Sequence, residues 1–227
     1  MKYEPMNVIA DPKLQAVIDR LQAKSRAQEA ETGAWFADRA KKGELSWEDF
    51  DEKSHRFMAD KLVALEPAKA EFCYLTCRAL RARRVVECGT SFGVSTLYLA
   101  AAVRDNGGGT VIGTEHEAAK AAAARETFAA AELDPFIDLR EGDLRETLQD
   151  VGGPIDFVLL DIWTEMVVPA LRLIGPHLRQ GAVIVADNTA SSHRGYEAFF
   201  AWLADPTNRM RHTTLPFDGG LEMCVRD

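Results

Sequence analysis

Residues 84–100 read RVVECGTSFGVSTLYLA. A β-branched apolar run ends in Glu87, Gly89 and Gly93 frame a polar turn, and a helical pattern follows. Strand, glycine turn and helix form the opening unit of a parallel α/β sheet, where ligands bind beyond the carboxyl ends of the strands. Gly89 lets the chain turn where a Cβ would obstruct a ligand, and Gly93 starts the helix tightly against the strand. The dinucleotide fingerprint G-x-G-x-x-G is absent. In its place stands E-x-G-x-x-x-G, with an acid two residues before the first glycine. An acid suits a pyrophosphate poorly and an ammonium group well, which points to a ligand carrying an amino acid.

Downstream, short strand-like runs alternate with helical ones. "GTVIGTE" precedes "AAKAAAARETFAAAEL", "FIDLRE" precedes "LRETLQDV", "IDFVLLD" precedes "VVPALRLIGPHL", and "GAVIVAD" precedes "YEAFFAWLAD". Such alternation predicts an α/β fold with helices on both faces of a mostly parallel sheet. The ending departs from it: "RMRHTTLPF" and "GLEMCVRD" flank "DGG", a hairpin signal, so the last strand should be antiparallel.

The first 80 residues are helical, charged and without a strand signal. Asp11-Pro12 marks a helix start, and Leu14, Val17, Ile18 and Leu21 share one face of a helix over 11–32. "KSRAQEAETG" beyond them is polar, so only the first turns are expected to pack. Ser46 and Asp49 give a second capping signal, and 67–80 a third helix. Residues 1–80 therefore read as a helical N-terminal cap and 81–227 as the main domain. The aromatics Trp35, Phe36, Trp47 and Phe50 are expected to anchor this cap or a dimer partner rather than line a pocket.

The 227 residues are 47% hydrophobic and 27% charged, with a formal charge of −8, which disfavours a nucleic-acid partner. Cys73, Cys77, Cys88 and Cys224 lack metal or disulfide spacing and read as reduced thiols. There is no signal-peptide pattern and no run long enough to span a bilayer, so a soluble cytoplasmic protein without a membrane partner is expected.

The second strand ends in Glu115, an acid suited to accepting both hydroxyls of a ribose. A strand-end acid that merely caps the next helix is the plainer reading of Glu87 or Glu115 alone. Together with the glycine turn they favour a ligand site. The motifs "VVECGTSFGVS", "GTEHE", "REGDLRETL", "DFVLLDIWTE", "GAVIVADN" and "DGGLEM" follow in an order and spacing that resemble the catechol and caffeoyl-CoA-type O-methyltransferases over about residues 65–227. The resemblance implies a Rossmann-like class I methyltransferase fold with a seven-stranded sheet, and S-adenosyl-L-methionine as cofactor. By position it implies Glu87, Gly89 and Ser95 at the methionine end, Glu115 on the ribose, and His116, Asp143 and Trp163 around the adenine. Many bacterial relatives are homodimers, and the N-terminal helices would contribute to one here.

Asp161 ends "FVLLD", and Asp187-Asn188 end "VIVADN", at near-adjacent strand ends. Two carboxylates and an amide oxygen form a hard oxygen set suited to Mg²⁺ or another divalent cation. The plainer reading has Asp161 capping a helix and Asp-Asn starting a turn. In the resembled family these positions bind the metal, and a catechol-like acceptor completes its shell. One departure is plain: the family usually has a lysine base three residues after the first aspartate, and this chain has Thr164. A threonine hydroxyl cannot take the proton alone. Either metal acidification suffices, or another group such as His193 in "SSHRG" serves, or the methylation is not of the catechol type. His55 and His212 have no motif context and read as surface residues. The function expected is methyl transfer to a small hydroxylated acceptor; metal-independent transfer and non-catalytic cofactor binding are the alternatives.

Overall fold

A computed structural model describes residues 8–44 and 51–227. Three helices come first, α1 (Pro12–Lys42), α2 (Glu52–Met58) and α3 (Pro67–Leu80). The alternating part follows as β1 (Arg84–Cys88), α4 (Val94–Asp105), β2 (Thr110–Glu115), α5 (Ala118–Ala130), β3 (Ile137–Glu141), α6 (Leu144–Thr147), β4 (Ile155–Leu160) and α7 (Thr164–Ile174). It closes with β5 (Leu178–Asp187), α8 (Glu197–Ala204), β6 (Met210–Leu215) and β7 (Leu221–Arg226). The strands form one seven-stranded sheet in the order β3-β2-β1-β4-β5-β7-β6. β7 is antiparallel to both β5 and β6, as the terminal hairpin signal requires.

The period of two along each strand sorts the core into two layers. Val85, Phe157, Leu159, Val183 and Val185 pack with residues of α1, α3, α4 and α5. Val86, Cys88, Val158, Leu160, Ile184 and Ala186 pack with residues of α6, α7 and α8 on the other face. Buried on both sides, β4 has no polar alternation to show, which is why "FVLL" reads as an unbroken apolar run. All four cysteines are buried and free. No helix among the described residues is long and apolar enough to cross a membrane.

Helix α1 begins as its sequence predicts: Asp11 Oδ1 accepts from the N–H groups of Lys13 and Leu14 at 3.0 and 3.2 Å, ahead of Pro12. It then runs to Lys42 rather than stopping near 32, and ends on Gly43 in the left-handed conformation. The polar stretch stays helical because other elements hold it. Trp35 stacks on Phe57 of α2 with centroids 4.3 Å apart, and the buried Arg39 pairs with Asp51 at 2.6 Å. Nearer its start, Gln22, Ser25 and Gln28 bond to the extended segment 61–66 between α2 and α3. Ser46, Trp47, Asp49 and Phe50 lie outside the described residues. "LRETLQDV" gives only the four-residue α6, while β5 starts three residues earlier than "GAVIVAD" indicates.

Replacing Asp11 with Ala removes the cap and is expected to cost about 1 kcal/mol in urea unfolding. Asp11→Asn keeps the cap oxygen and loses only the partly exposed ion pair to Arg104 (2.9 Å), worth about 0.5 kcal/mol. Equal losses from both variants would show that the charge, not the cap, matters.

Candidate functional site

Because side chains alternate, Glu87 follows Val85, Asp161 follows Leu159 and Asp187 follows Val185 onto the same face of the sheet. Three acids thus converge at the carboxyl ends of β1, β4 and β5, the central strands. Helix α3 packs over this face.

Glu87 is fully buried. Its Oε2 accepts from the hydroxyls of Thr90 (2.8 Å) and Thr96 (2.5 Å), while Oε1 has no hydrogen-bond partner. Burial pushes its pKa up, and the Thr96, Ser95 and Thr90 hydroxyls pull it back. Gly113, its register partner on β2, leaves the room this requires, since a Cβ there would sit 2.5 Å from Thr90 Oγ1. Gly89 is needed for a reason other than ligand clearance. At φ +98° its Cβ would stand 2.0 Å from the Asp161 carbonyl oxygen, so the glycine lets β1 pass the end of β4. Gly93 likewise abuts Phe128 of α5 rather than the strand.

Glu115 holds two backbone donors, Ser91 N–H at 2.7 Å and Glu117 N–H at 2.8 Å. It ties the glycine turn to the start of α5, and each oxygen keeps a second lone pair for a further donor. Asp143 caps α6, and the Arg145 guanidinium with its backbone N–H holds the carboxyl down to about 2; the charge of exposed His116 acts in the same direction. Trp163 immediately precedes α7, with His55 of α2 edge-on to its ring at 6.2 Å. His55 is exposed, as its surface reading has it, and its ring lies beside a candidate site residue.

Asp187 is the centre of the second cluster. Its Oδ1 accepts from Lys69 Nζ at 2.7 Å and from Asn188 N–H at 2.8 Å, and its Oδ2 from Asn188 Nδ2 at 3.1 Å. Tyr196 donates its hydroxyl to the Asp187 carbonyl at 2.7 Å. Asn188 adopts φ +60°, a left-handed position that asparagine tolerates well. Asp161, half-buried, is pushed up to about 8, first by burial and then by the charges of Asp187 and Glu87, with Lys69 pulling it back. Burial raises Asp187 too, and Lys69 opposes it. Asp161 and Asp187 share the ammonium of Lys69, whose side chain is 2% exposed. Among the described residues no group of three or more His, Cys, Asp and Glu side chains forms a metal cage. The candidate set is two carboxylates and an amide.

Thr164 begins α7 and packs against Gly195, where a Cβ would come within 2.7 Å of its hydroxyl. His193 lies exposed in the loop after β5 with its ring 5.3 Å from Phe200. Lys69 stands in none of the sequence motifs. The available signal was its register: Lys69 stands four and eight residues before Cys73 and Cys77, on the buried stripe of α3. His212 is exposed, as its surface reading has it, but its Nδ1 lies 2.6 Å from the fully buried Glu222, on the opposite face of the sheet.

Residues 86–189 match the family model described as a methyltransferase domain. The chain is 33% identical over 127 residues to a catechol O-methyltransferase of Mycobacterium tuberculosis, covering 56% of this chain and 57% of that one. It is 31% identical over 134 residues to a catechol O-methyltransferase of Niastella koreensis, covering 56% and 58%. The match thus spans somewhat over half the length of these curated relatives. Among solved structures, an O-methyltransferase from Bacillus cereus in complex with SAH superposes with a TM-score of 0.67 at 22% identity, covering 98% of this chain and 94% of that one. The O-methyltransferase TomG from Streptomyces achromogenes, in complex with SAM, gives 0.63 at 24% identity, covering 86% and 97%. At such identities these two show the fold. The resemblance to the catechol and caffeoyl-CoA-type O-methyltransferases read from the motifs is borne out.

Asp161 and Asp187 sit above the ordinary carboxylate range, so the folded chain binds more protons than the unfolded one. Stability should therefore fall as pH rises from near 4, the ordinary value, through about 8 for Asp161. Thermal melts in EDTA between pH 5.5 and 8.5 are expected to show this slope, and Asp161→Asn to flatten it and raise the midpoint at pH 8. An unchanged slope would remove Asp161 as its source. Lys69→Met leaves Asp187 buried without its ammonium and should cost about 3–5 kcal/mol in urea unfolding.

Proposed function

We propose that this chain is an S-adenosyl-L-methionine-dependent O-methyltransferase acting on a small hydroxylated acceptor of the catechol type. The observation that carries the reading is Glu87: a fully buried carboxylate beside the glycine turn, with Oε1 lacking a partner. A buried acceptor of this kind calls for a donor, and the ammonium of a methionine moiety supplies both hydrogen bond and charge. Ser95 completes that end, Glu115 takes the ribose hydroxyls through its remaining lone pairs, and His116, Asp143 and Trp163 surround the adenine.

Asp161, Asp187 and Asn188 fit a divalent cation in donor chemistry. Two mutually repelling carboxylates and an amide oxygen are hard ligands, and Lys69 leaves part of their negative charge unbalanced. Mg²⁺ held there would supply Lewis acidity that lowers the pKa of an acceptor hydroxyl. The chain's own residues do the rest. Lys69 and Asn188 fix the Asp187 carboxylate, and Gly89 brings the methionine end of the site against the Asp161 backbone. Thr164 has no proton-accepting capacity near neutrality, so the acceptor's proton passes to solvent or to His193.

One observation favours a second reading, metal-independent transfer: both oxygens of Asp187 already accept hydrogen bonds from Lys69 and Asn188.

The deciding assay is release of S-adenosylhomocysteine over a panel of catechols and simple phenols, with Mg²⁺ and with EDTA. Turnover on vicinal diols that needs Mg²⁺ and drops more than about 100-fold in Asp187→Ala is expected. Turnover indifferent to EDTA would establish the second reading. Cofactor binding without turnover on any acceptor would make the chain a non-catalytic cofactor-binding protein. A bell limb lost in His193→Ala would assign the proton to that residue, and an unchanged pH–rate profile would assign it to solvent.

A further inference from the structure

The extended segment 61–66 carries no regular structure of its own, yet its backbone is fastened to α1 at three points. Gln28 Oε1 accepts from the Leu62 N–H at 2.8 Å, Ser25 Oγ accepts from the Ala64 N–H at 3.1 Å, and Gln22 Nε2 donates to the Leu65 carbonyl at 3.1 Å. The three side chains are spaced every third residue along one face of α1, and the strap runs antiparallel to it. Gln22 and Ser25 are buried, which is costly for polar groups unless they are bonded. Leu62 and Leu65 insert into the core while Val63 between them is 55% exposed, so the strap is pinned through both side chains and backbone. Residues 62–65 line a narrow cleft whose other wall is the glycine turn, including Gly89, Thr90, Ser91 and Ser95, and Asp161.

We propose that Gln22, Ser25 and Gln28 are positioning residues for the cofactor: by clasping the strap they fix the wall that closes over the amino-acid half of S-adenosylmethionine. The inference rests on the methyltransferase reading above and adds to it the residues that set cofactor affinity from outside the site. None of the three touches the cofactor; they act through the backbone of residues 62–65. The polarity of the clasp is fixed by the chemistry of what each side chain meets. An N–H at position 62 needs an oxygen from residue 28, and a C=O at position 65 needs a donor from residue 22. Without the clasp the strap retains its two leucine anchors but must be ordered each time the cofactor binds, and that entropy is charged to affinity.

The test pairs near-isosteric substitutions. Gln28→Met removes the acceptor and Gln22→Met removes the donor; each is expected to weaken S-adenosylhomocysteine binding, measured calorimetrically on the full chain, by about tenfold. Gln28→Glu keeps an acceptor oxygen facing the Leu62 N–H and should stay within about twofold of the parent. In turnover assays KM for S-adenosylmethionine should rise in the two Met variants while kcat at saturation holds, a split that a general loss of folding would not give. Hydrogen exchange at the Leu62 and Ala64 amides should slow on adding S-adenosylhomocysteine to the parent and less so in the Met variants. Parent-like affinity in both Met variants overturns the proposal, as does an equal loss in Gln28→Glu and Gln28→Met, since that would trace to folding rather than to the clasp. Failure of the parent to bind S-adenosylhomocysteine would overturn the methyltransferase reading and this inference together.

Discussion

The buried ion pair between Lys69 and Asp187 is the contact on which the site depends. The central strands deliver Glu87, Asp161 and Asp187 to one face of the sheet, where Glu87 and Asp187 are buried and Asp161 is half-buried. Carboxylates in such a place are tolerated only if paired or neutralised. Lys69 answers this from a helix that is otherwise an apolar cover, with its aliphatic stem in the core and its ammonium on the acid. The same helix carries Cys73, one turn on, whose thiol is pushed far up by burial and by the charges of all three acids. Helix α3 is thus the floor of the site as well as part of the core.

A second constraint is the close approach of β1 and β4. Asp161 N–H bonds to the Cys88 carbonyl at 3.0 Å just as Gly89 turns away, and only a residue without a Cβ clears the Asp161 carbonyl. The turn that faces the methionine end of the proposed cofactor and the aspartate of the proposed acceptor centre are therefore one structural unit. In-line transfer demands that two reactants be held together, and here their binding groups are joined by backbone rather than by flexible side chains. The strap at 61–66 closes the unit from outside, and α1 orders the strap.

The two faces of the sheet differ in what their buried acids do. On the α3 side the acids exceed the ammonium that faces them, an arrangement that favours cationic ligands. On the α8 side Glu222 is matched by His212 and by the Thr214 hydroxyl at 2.6 Å, and its oxygens have partners within the fold. A buried acid by itself therefore does not mark a site; an unbalanced one does.

The amino-acid sequence alone carries the alternation of strands and helices, the antiparallel ending at "DGG", and the placing of Glu87, Glu115, Asp161 and Asp187 at strand ends. These follow from local periodicity and turn chemistry, which act between near neighbours in the chain. It also determined the start of α1, because a cap and a proline act within one turn. That Lys69 meets Asp187 across 118 positions, that Gly89 is demanded by β4, and that α1 extends to Lys42 are settled in the folded chain alone. Those contacts join segments far apart in sequence, and no residue in either segment shows its partner. Gln22, Ser25 and Gln28 read as solvent-facing polar groups until the strap is laid against them. Their hydrogen-bonding capacity is local, but what satisfies it is brought there by the fold.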